Sequence, residues 1–333
     1  MKIGKRLFFA GCAVLMVLGA AELAVRLLFP GIAAKAASMQ FANPHRDQPE
    51  SFVRDPLLFW RLKPDNAAWE VNADGYRGPR RAKDKSAGTL RVCCLGDSCT
   101  FGLSARPLAY ADTYPAVLEK LLAARLGRPV EALNFGCPGY TSWQGLRQLE
   151  TVVLSYRPDI VTAYFGTNDG YEAIGYPDAE QRPLDRIPGG RIAGLQVILW
   201  HSASYTLLTR GVTWAKRATA AAGLPRVSFE AFRVNAAAMR SVARERGFRL
   251  YFIPTYYIEN NGVLTREEIS AVEPLVDPRE AFFGRGYPPD ALFSPPPDRV
   301  HPTRLGHLLI AEAVADRLVS DLNNASSQDK VVD

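Results

Sequence analysis

The sequence predicts an α/β protein: a doubly wound parallel sheet carried behind an N-terminal transmembrane helix. Three observations predict it. Short apolar runs ending at Gly or a turn alternate with segments of helical periodicity, the pattern of a parallel sheet covered by helices on both faces. One long apolar run lies at the N-terminus, preceded by positive charge. The residues able to do chemistry follow strand ends, where open α/β sheets bind ligands.

Lys2, Lys5 and Arg6 precede an apolar run from Leu7 to Ala21, which resumes after Glu22 and ends at Pro30. Taken together the run has about the 20 residues that a helix needs to cross hydrocarbon. Glu22 and Arg26 are four apart, so they share a helical face and can pair. The positive residues before the run predict the N-terminus inside and the body outside the membrane. A cleaved signal peptide is the alternative, with Ala34-Lys35-Ala36 at cleavage-like spacing; the protein would then be secreted. Cys12 precedes most of the apolar run, so Phe9-Ala10-Gly11-Cys12 is not read as a lipoprotein box.

Residues 1–30 are thus an anchor or signal segment and 31–50 a tether. Residues 51–88, punctuated by Phe59, Trp60, Pro64, Trp69, Gly75 and Pro79, read as an irregular segment packed on the core. A strand is expected over Leu90–Leu95, stopped at Gly96, followed by a helix striped with Tyr114, Val117, Leu118, Leu121, Leu122 and Leu126 and closed by Gly127. Val130–Asn134 is the second strand, Trp143–Leu154 the second helix and Ile160–Phe165 the third strand. A long helix over Ser228–Arg246 stops at Gly247 before the strand Leu250–Ile253. The last helix, after Pro302, is expected to bury Leu305, Leu308, Ala311, Ala315 and Leu318. The main domain spans 89–322 with an insertion at 173–225, and 323–333 forms a disordered tail.

The net charge is +6, but Lys2, Lys5, Arg6 and Arg26 against Glu22 place half of it in the first 30 residues. No Lys/Arg block remains, so nucleic acid is not an expected partner. Of the five cysteines, Cys12 lies in the anchor, and the neighbours Cys93 and Cys94 point to opposite faces of a strand. Cys99 and Cys137 read as small unpaired side chains near the site, although a bridge between them is geometrically conceivable. No His-x-His or His-Glu-x-x-His spacing occurs, so neither a metal nor a cofactor is expected.

Four fragments carry the chemistry: Gly96-Asp97-Ser98, Asn134 to Gly139, Gly166-Thr167-Asn168-Asp169, and Asp298 to Pro302. Serine is a weak nucleophile at neutral pH and needs a base, which in turn needs an acceptor on its other ring nitrogen. Ser98, His301 and Asp298 fill those roles, and Asp-x-x-His lets one loop supply two of them. The N–H groups of Ser98 and Gly139 and the side-chain amide of Asn168 are candidate oxyanion donors. Asp97 and Asp169 read as turn-holding carboxylates. Cys99 reads as a bystander, and His307 as a surface or packing residue.

These fragments resemble the signature blocks of the SGNH (GDSL-type) hydrolase superfamily, in a membrane-anchored bacterial form. The resemblance implies a flavodoxin-like three-layer sandwich. It maps the nucleophile to Ser98, the oxyanion glycine and asparagine to Gly139 and Asn168, and the Asp–His pair to Asp298 and His301. Cys99 stands where the motif often has leucine. Trp60-Arg61-Leu62-Lys63-Pro64 and Asn72 to Gly78 look like the lead-in of anchored members. The resemblance implies an extracytoplasmic serine esterase acting on a small-molecule or glycan ester, with a short acyl group such as acetyl favoured. The alternatives are an O-acyltransferase using the same triad on an envelope polysaccharide, and a non-catalytic binding module. The aromatic-rich insertion (Tyr176, Trp200, Tyr205, Trp214) either covers the site or packs on the core.

Overall fold

The computed structural model describes residues 2–28, 44, 48–104, 107–171, 173, 177–180, 204, 207–208, 224–259, 262–265, 272–295 and 298–329. The tether over 31–50 lies almost wholly outside these residues, as do Tyr176, Trp200, Tyr205 and Trp214 of the insertion. Helix α1 (Lys2–Leu28) is continuous because nothing between the first charges and Pro30 breaks a helix. Its residues Gly4–Leu28 are long and apolar enough to cross a membrane, a property that signal sequences share. Arg26 donates to Glu22 at 2.8 Å, the pairing expected of an i, i+4 spacing.

Residues 51–88 are more regular than expected. They open with an antiparallel hairpin of β1 (Phe52–Asp55) and β2 (Phe59–Leu62), in register Phe52 to Leu62. Four-residue strands are too short to show a period of two, and β2 buries Phe59, Trp60 and Leu62, which masks alternation. The turn is set by Asp55, whose carboxylate accepts the N–H groups of Leu57 and Leu58 at 2.9 and 2.8 Å.

The core sheet has four parallel strands: β3 (Leu90–Gly96), β4 (Val130–Gly136), β5 (Ile160–Tyr164) and β6 (Arg249–Phe252). Their order is β4-β3-β5-β6. The first strand sits between the second and third, as in the flavodoxin-like winding, so the order reverses beside β3. All seven residues of β3 are buried. Cys93 and Leu95 enter the core on one face, and Leu90, Val92 and Cys94 that on the other. Cys99 and Cys137 belong to these opposite cores, and both are free thiols, so no bridge joins them.

Helix α2 (Ser98–Phe101) follows β3 directly, and α3 (Tyr114–Leu126) ends at Gly127 in the left-handed region. Helix α4 (Ser142–Thr151) starts on a Thr141/Gln144 capping box, and α5 (Phe229–Arg246) on the Ser228 hydroxyl. The second helix was expected to reach Leu154. It stops at Val152, and Val153–Tyr156 tightens into a 3-10 turn. A second hairpin, β7 (Tyr256–Glu259) with β8 (Gly262–Thr265), has no counterpart in the sequence-based expectation. Two short helices follow, α6 (Arg279–Phe283) and α7 (Pro289–Leu292).

The last helix, α8 (Arg304–Asp329), buries His307, Ile310, Ala311, Val314, Ala315 and Leu318, a stripe at helical spacing. Ala311, Ala315 and Leu318 are buried as expected, whereas Leu305 and Leu308 are half-buried at the edge of this stripe. The helix also runs to Asp329, through much of the stretch expected to be a disordered tail. Residues 323–329 contain neither Gly nor Pro to stop it. Helices α3 and α8 cover one face of the sheet, and α4, α5 and the β1–β2 hairpin the other.

One close approach positions the site. Helix α2 lies against the end of β4, and a Cβ built on Gly136 would meet the Phe101 nitrogen at 2.2 Å. That atom is backbone, so the helix itself would have to move. Gly136→Ala is therefore expected to lower stability by about 1–3 kcal/mol and to displace Ser98. Urea unfolding of the full-length chain in detergent, paired with an esterase assay, checks both effects.

Candidate active site

The turn after β3 is built by Asp97. Its carboxylate caps α2 by accepting the Cys99 N–H at 2.8 Å, and the Gly102 N–H returns to the Ser98 carbonyl at 3.0 Å. Ser98 is thereby fixed as the first residue of a one-turn helix at the carboxyl edge of the sheet. Two carbonyls at the far end of that turn are also held. Asn134 donates its side-chain amide to Thr100 O at 2.9 Å. Arg77, which is 1% exposed, donates to the carbonyls of Phe101 and Leu108. Arg77 comes from the 51–88 segment, which therefore supports the Ser98 turn as well as covering the core.

His301 reaches Ser98 from 203 positions away in the chain: its Nε2 lies 2.7 Å from Ser98 Oγ. Its Nδ1 lies 2.8 Å from Asp298 Oδ2. The Asp298 carboxylate also accepts the backbone N–H groups of Val300 and His301 at 3.2 and 3.3 Å. Burial pushes its pKa up, but the His301 contacts and these N–H groups outweigh burial and hold it below the usual carboxylate value. An ionised Asp298 accepts the Nδ1 proton, which leaves Nε2 as the acceptor for the Ser98 hydroxyl. Such a chain lets serine lose its proton as it attacks a carbonyl.

The histidine loop is held mainly by backbone pairing. Ser294 N–H donates to His301 O at 2.8 Å and Thr303 N–H to Leu292 O at 2.9 Å. Ser104 and Ser294 hydroxyls lie 2.8 Å apart, tying the segment after α2 to the segment before His301.

Gly139 adopts a φ of +82°, open to glycine at little cost. Among the described residues, neither its N–H nor that of Ser98 meets a protein acceptor. Asn168 lies between the two turns, giving one amide proton to Asp97 Oδ2 and the other to Tyr140 O, each at 3.0 Å. It joins the nucleophile turn to the Gly139 turn, and a reacting oxygen would share or take one of these protons.

Asp169, Cys99 and His307 are engaged away from this hydrogen-bonded chain. Asp169 accepts the Ser142 N–H and hydroxyl, and Asn235 donates to Ser142 Oγ at 3.0 Å. Burial pushes the Asp169 carboxyl up to about 7 despite those bonds. Cys99 is fully buried against Val300 O at 3.8 Å, and burial raises its thiol well above the ordinary value. It is no nucleophile, since thiolate is the reactive form. His307 is no surface residue. It is fully buried, accepts the Tyr114 N–H on Nδ1 at 3.1 Å, and burial drops its pKa to about 3.

Sequence reasoning missed a buried ion pair beside the site. Arg226 donates through Nε and Nη2 to Asp178 at 3.1 and 2.9 Å, and through Nη1 to Gly139 O at 2.7 Å. Asp178 also accepts the Thr141 hydroxyl at 2.7 Å. No local spacing announces a pair formed across 48 residues.

Burial pushes the Asp97 carboxyl up from 3.8 to about 6, against the lowering by Cys99 and His301. The native state therefore holds this proton more tightly than the unfolded chain, and stability is lost as pH rises through that window. Asp97→Asn removes the charge and keeps one acceptor oxygen, its NH2 then facing one of the two N–H donors at a cost that does not vary with pH. Relative to wild type it is expected to gain stability between about pH 4 and about pH 7, by roughly 1–3 kcal/mol, measured by urea unfolding at a series of pH values. Cys99→Ser is expected to keep esterase activity, and thiol alkylation to leave wild-type activity intact, because the sulfur is sealed.

The chain matches the GDSL-like Lipase/Acylhydrolase family over residues 94–309. No curated protein matches it. Among solved structures it is similar to the lipase/acylhydrolase from Enterococcus faecalis (19% identity, 69% of this chain and 95% of that chain, TM-score 0.42). It is also similar to an acetylxylan esterase variant from Geobacillus stearothermophilus (21% identity, 70% and 94%, TM-score 0.40). A third is an alpha/beta hydrolase from the Lake Arreo metagenome (20% identity, 70% and 95%, TM-score 0.42). The family match covers more than half of the chain and takes in all four chemical fragments, so the chain belongs to the GDSL-like lipase/acylhydrolase family and is an ester-hydrolysing enzyme.

Proposed function

We propose that this is a serine esterase held outside the cytoplasmic membrane, working through Ser98, His301 and Asp298. The observation that carries the reading is the continuous Ser98–His301–Asp298 hydrogen-bonded chain, at 2.7 and 2.8 Å. Ser98 Oγ attacks the ester carbonyl carbon as its proton passes to His301 Nε2. The Asp298 carboxylate stabilises the imidazolium through Nδ1. The carbonyl oxygen, now negative, rests on the N–H groups of Ser98 and Gly139 and on the Asn168 amide. The C–O bond to the alcohol then breaks, and His301 returns the proton to the leaving oxygen. Water attacks the acyl-serine with its proton passing to His301, and collapse frees the acid and restores the Ser98 hydroxyl.

The N-terminal apolar helix with positive residues before it supports an extracytoplasmic site, either anchored or released after cleavage. An enzyme there meets envelope or environmental glycans, so the proposed substrate is a short acyl ester, such as acetyl, on a glycan. The same acyl-enzyme could pass its group to a sugar hydroxyl in place of water, so the acceptor is decided by product analysis.

Ser98→Ala is expected to lower hydrolysis of short-chain aryl esters by at least about 10³-fold. A variant that still hydrolyses them at the wild-type rate sinks the mechanism. Incubation with acetylated oligosaccharides is expected to release acetate, whereas new acetyl groups on a glycan would assign the transferase reaction.

A further inference from the structure

Gly139 poses a problem of aim. It has no side chain, and its φ of +82° lies where glycine moves freely. Its N–H can stabilise an oxyanion only if the peptide planes on either side are held. A trans peptide is rigid, with its C=O and N–H pointing in opposite directions. Whatever fixes the Pro138 carbonyl therefore fixes the Gly139 N–H behind it.

Both planes are anchored. The Pro138 carbonyl accepts the indole N–H of Trp60 at 3.1 Å, and the Gly139 carbonyl accepts Arg226 Nη1 at 2.7 Å. Trp60 is 1% exposed and Arg226 5%. The two donors also meet each other, the guanidinium carbon lying 5.7 Å from the centroid of the indole ring. Each is held in turn. The Trp60 carbonyl accepts the Tyr140 hydroxyl at 2.6 Å, and Gln144 donates to Leu58 O at 2.7 Å, clasping strand β2 to the turn. Arg226 is fixed by Asp178 and by Gln144 Oε1 at 2.9 Å.

We propose that Trp60 and Arg226 are positioning residues that clamp the two carbonyls flanking Gly139 and so aim its N–H at the developing oxyanion. The proposal rests on the reading of Gly139 as an oxyanion donor. Trp60 lies outside the matched family region of 94–309, so the β1–β2 hairpin supplies part of the active-site scaffold from beyond it. The clamp acts on the transition state, where the oxygen carries charge, and hardly on the ground-state ester. Its loss should therefore fall on kcat and leave KM nearly unchanged.

The test uses the full-length protein in detergent with p-nitrophenyl acetate as substrate and phenylboronic acid as a tetrahedral mimic. Trp60→Phe removes the N–H. Replacing Trp60 by β-(3-benzothienyl)alanine exchanges only the N–H for sulfur and keeps the shape, so it serves should the smaller ring fail to fold. Arg226→Lys keeps the charge facing Asp178 but loses the fork. The expected result is a fall in kcat of about 10-fold or more, a KM within about two-fold, and a boronate Ki raised in step with the loss of kcat. An unchanged kcat in the benzothienyl variant overturns the clamp. So does a fall in kcat with an unchanged boronate Ki. Ser98→Ala run alongside separates the two readings: full activity there defeats the esterase mechanism itself, whatever the Trp60 variants do.

Discussion

The hydrogen bond between Ser98 Oγ and His301 Nε2 joins residues 203 positions apart, and the rest of the site is arranged so that it can form. Such a bond contributes only about 1 kcal/mol net, too little to fold the two loops toward each other. The loops must be placed beforehand. Placement of Ser98 comes from the sheet, because β3 ends at the reversal of strand order and α2 begins at once behind Asp97. Placement of His301 comes from the pairing of Ser294 and Leu292 with His301 and Thr303, set at the start of α8. Cys99 against Val300 and Ser104 against Ser294 then close the gap between the two loops.

Holding this geometry requires buried polar groups, and they are accommodated in different ways. Asp97 sits between Cys99 N–H and the Asn168 amide, pairs with no cation among the described residues, and is shifted toward the neutral acid by burial. Asp178 is matched instead by the Arg226 fork, which also grips the Gly139 turn. Buried ion pairs stabilise weakly on balance, because desolvation offsets most of their attraction. What this one supplies is direction, since Arg226 points its remaining donors at Gly139 and Gln144. His307 differs again: its imidazole is kept neutral and accepts the Tyr114 N–H on Nδ1, while its buried Nε2 has no hydrogen-bond partner among the described residues.

The four strands of the core sheet and the four chemical fragments were legible in the sequence because both depend on short-range pattern. The apolar runs over 90–95 and 160–165, each stopped at a Gly, mark strands, and the fragments after them carry residue types that resemble the family's signature blocks. What escaped depends on long-range partners. The Trp60 indole meets Pro138 across 78 residues, and Arg226 meets Gly139 across 87. Trp60 was visible only as part of a lead-in motif, and Arg226 as one arginine among many. The β1–β2 hairpin was missed because its strands are short and face inward, and the length of α8 because the polar end at 323–329 has no apolar periodicity to mark it as helix. Asn168 lies between the nucleophile turn and the Gly139 turn, and its engagement by both Asp97 and Tyr140 emerges only in three dimensions.

The role of Ser98 is tested most directly by trapping the acyl-enzyme. The full-length protein is mixed with p-nitrophenyl acetate, quenched in acid within the burst, and digested for mass-spectrometric mapping. An acetyl group on Ser98, absent when His301 is replaced by alanine, is the expected result. Acetyl on another side chain, or turnover with Ser98 never acylated, would contradict the triad mechanism.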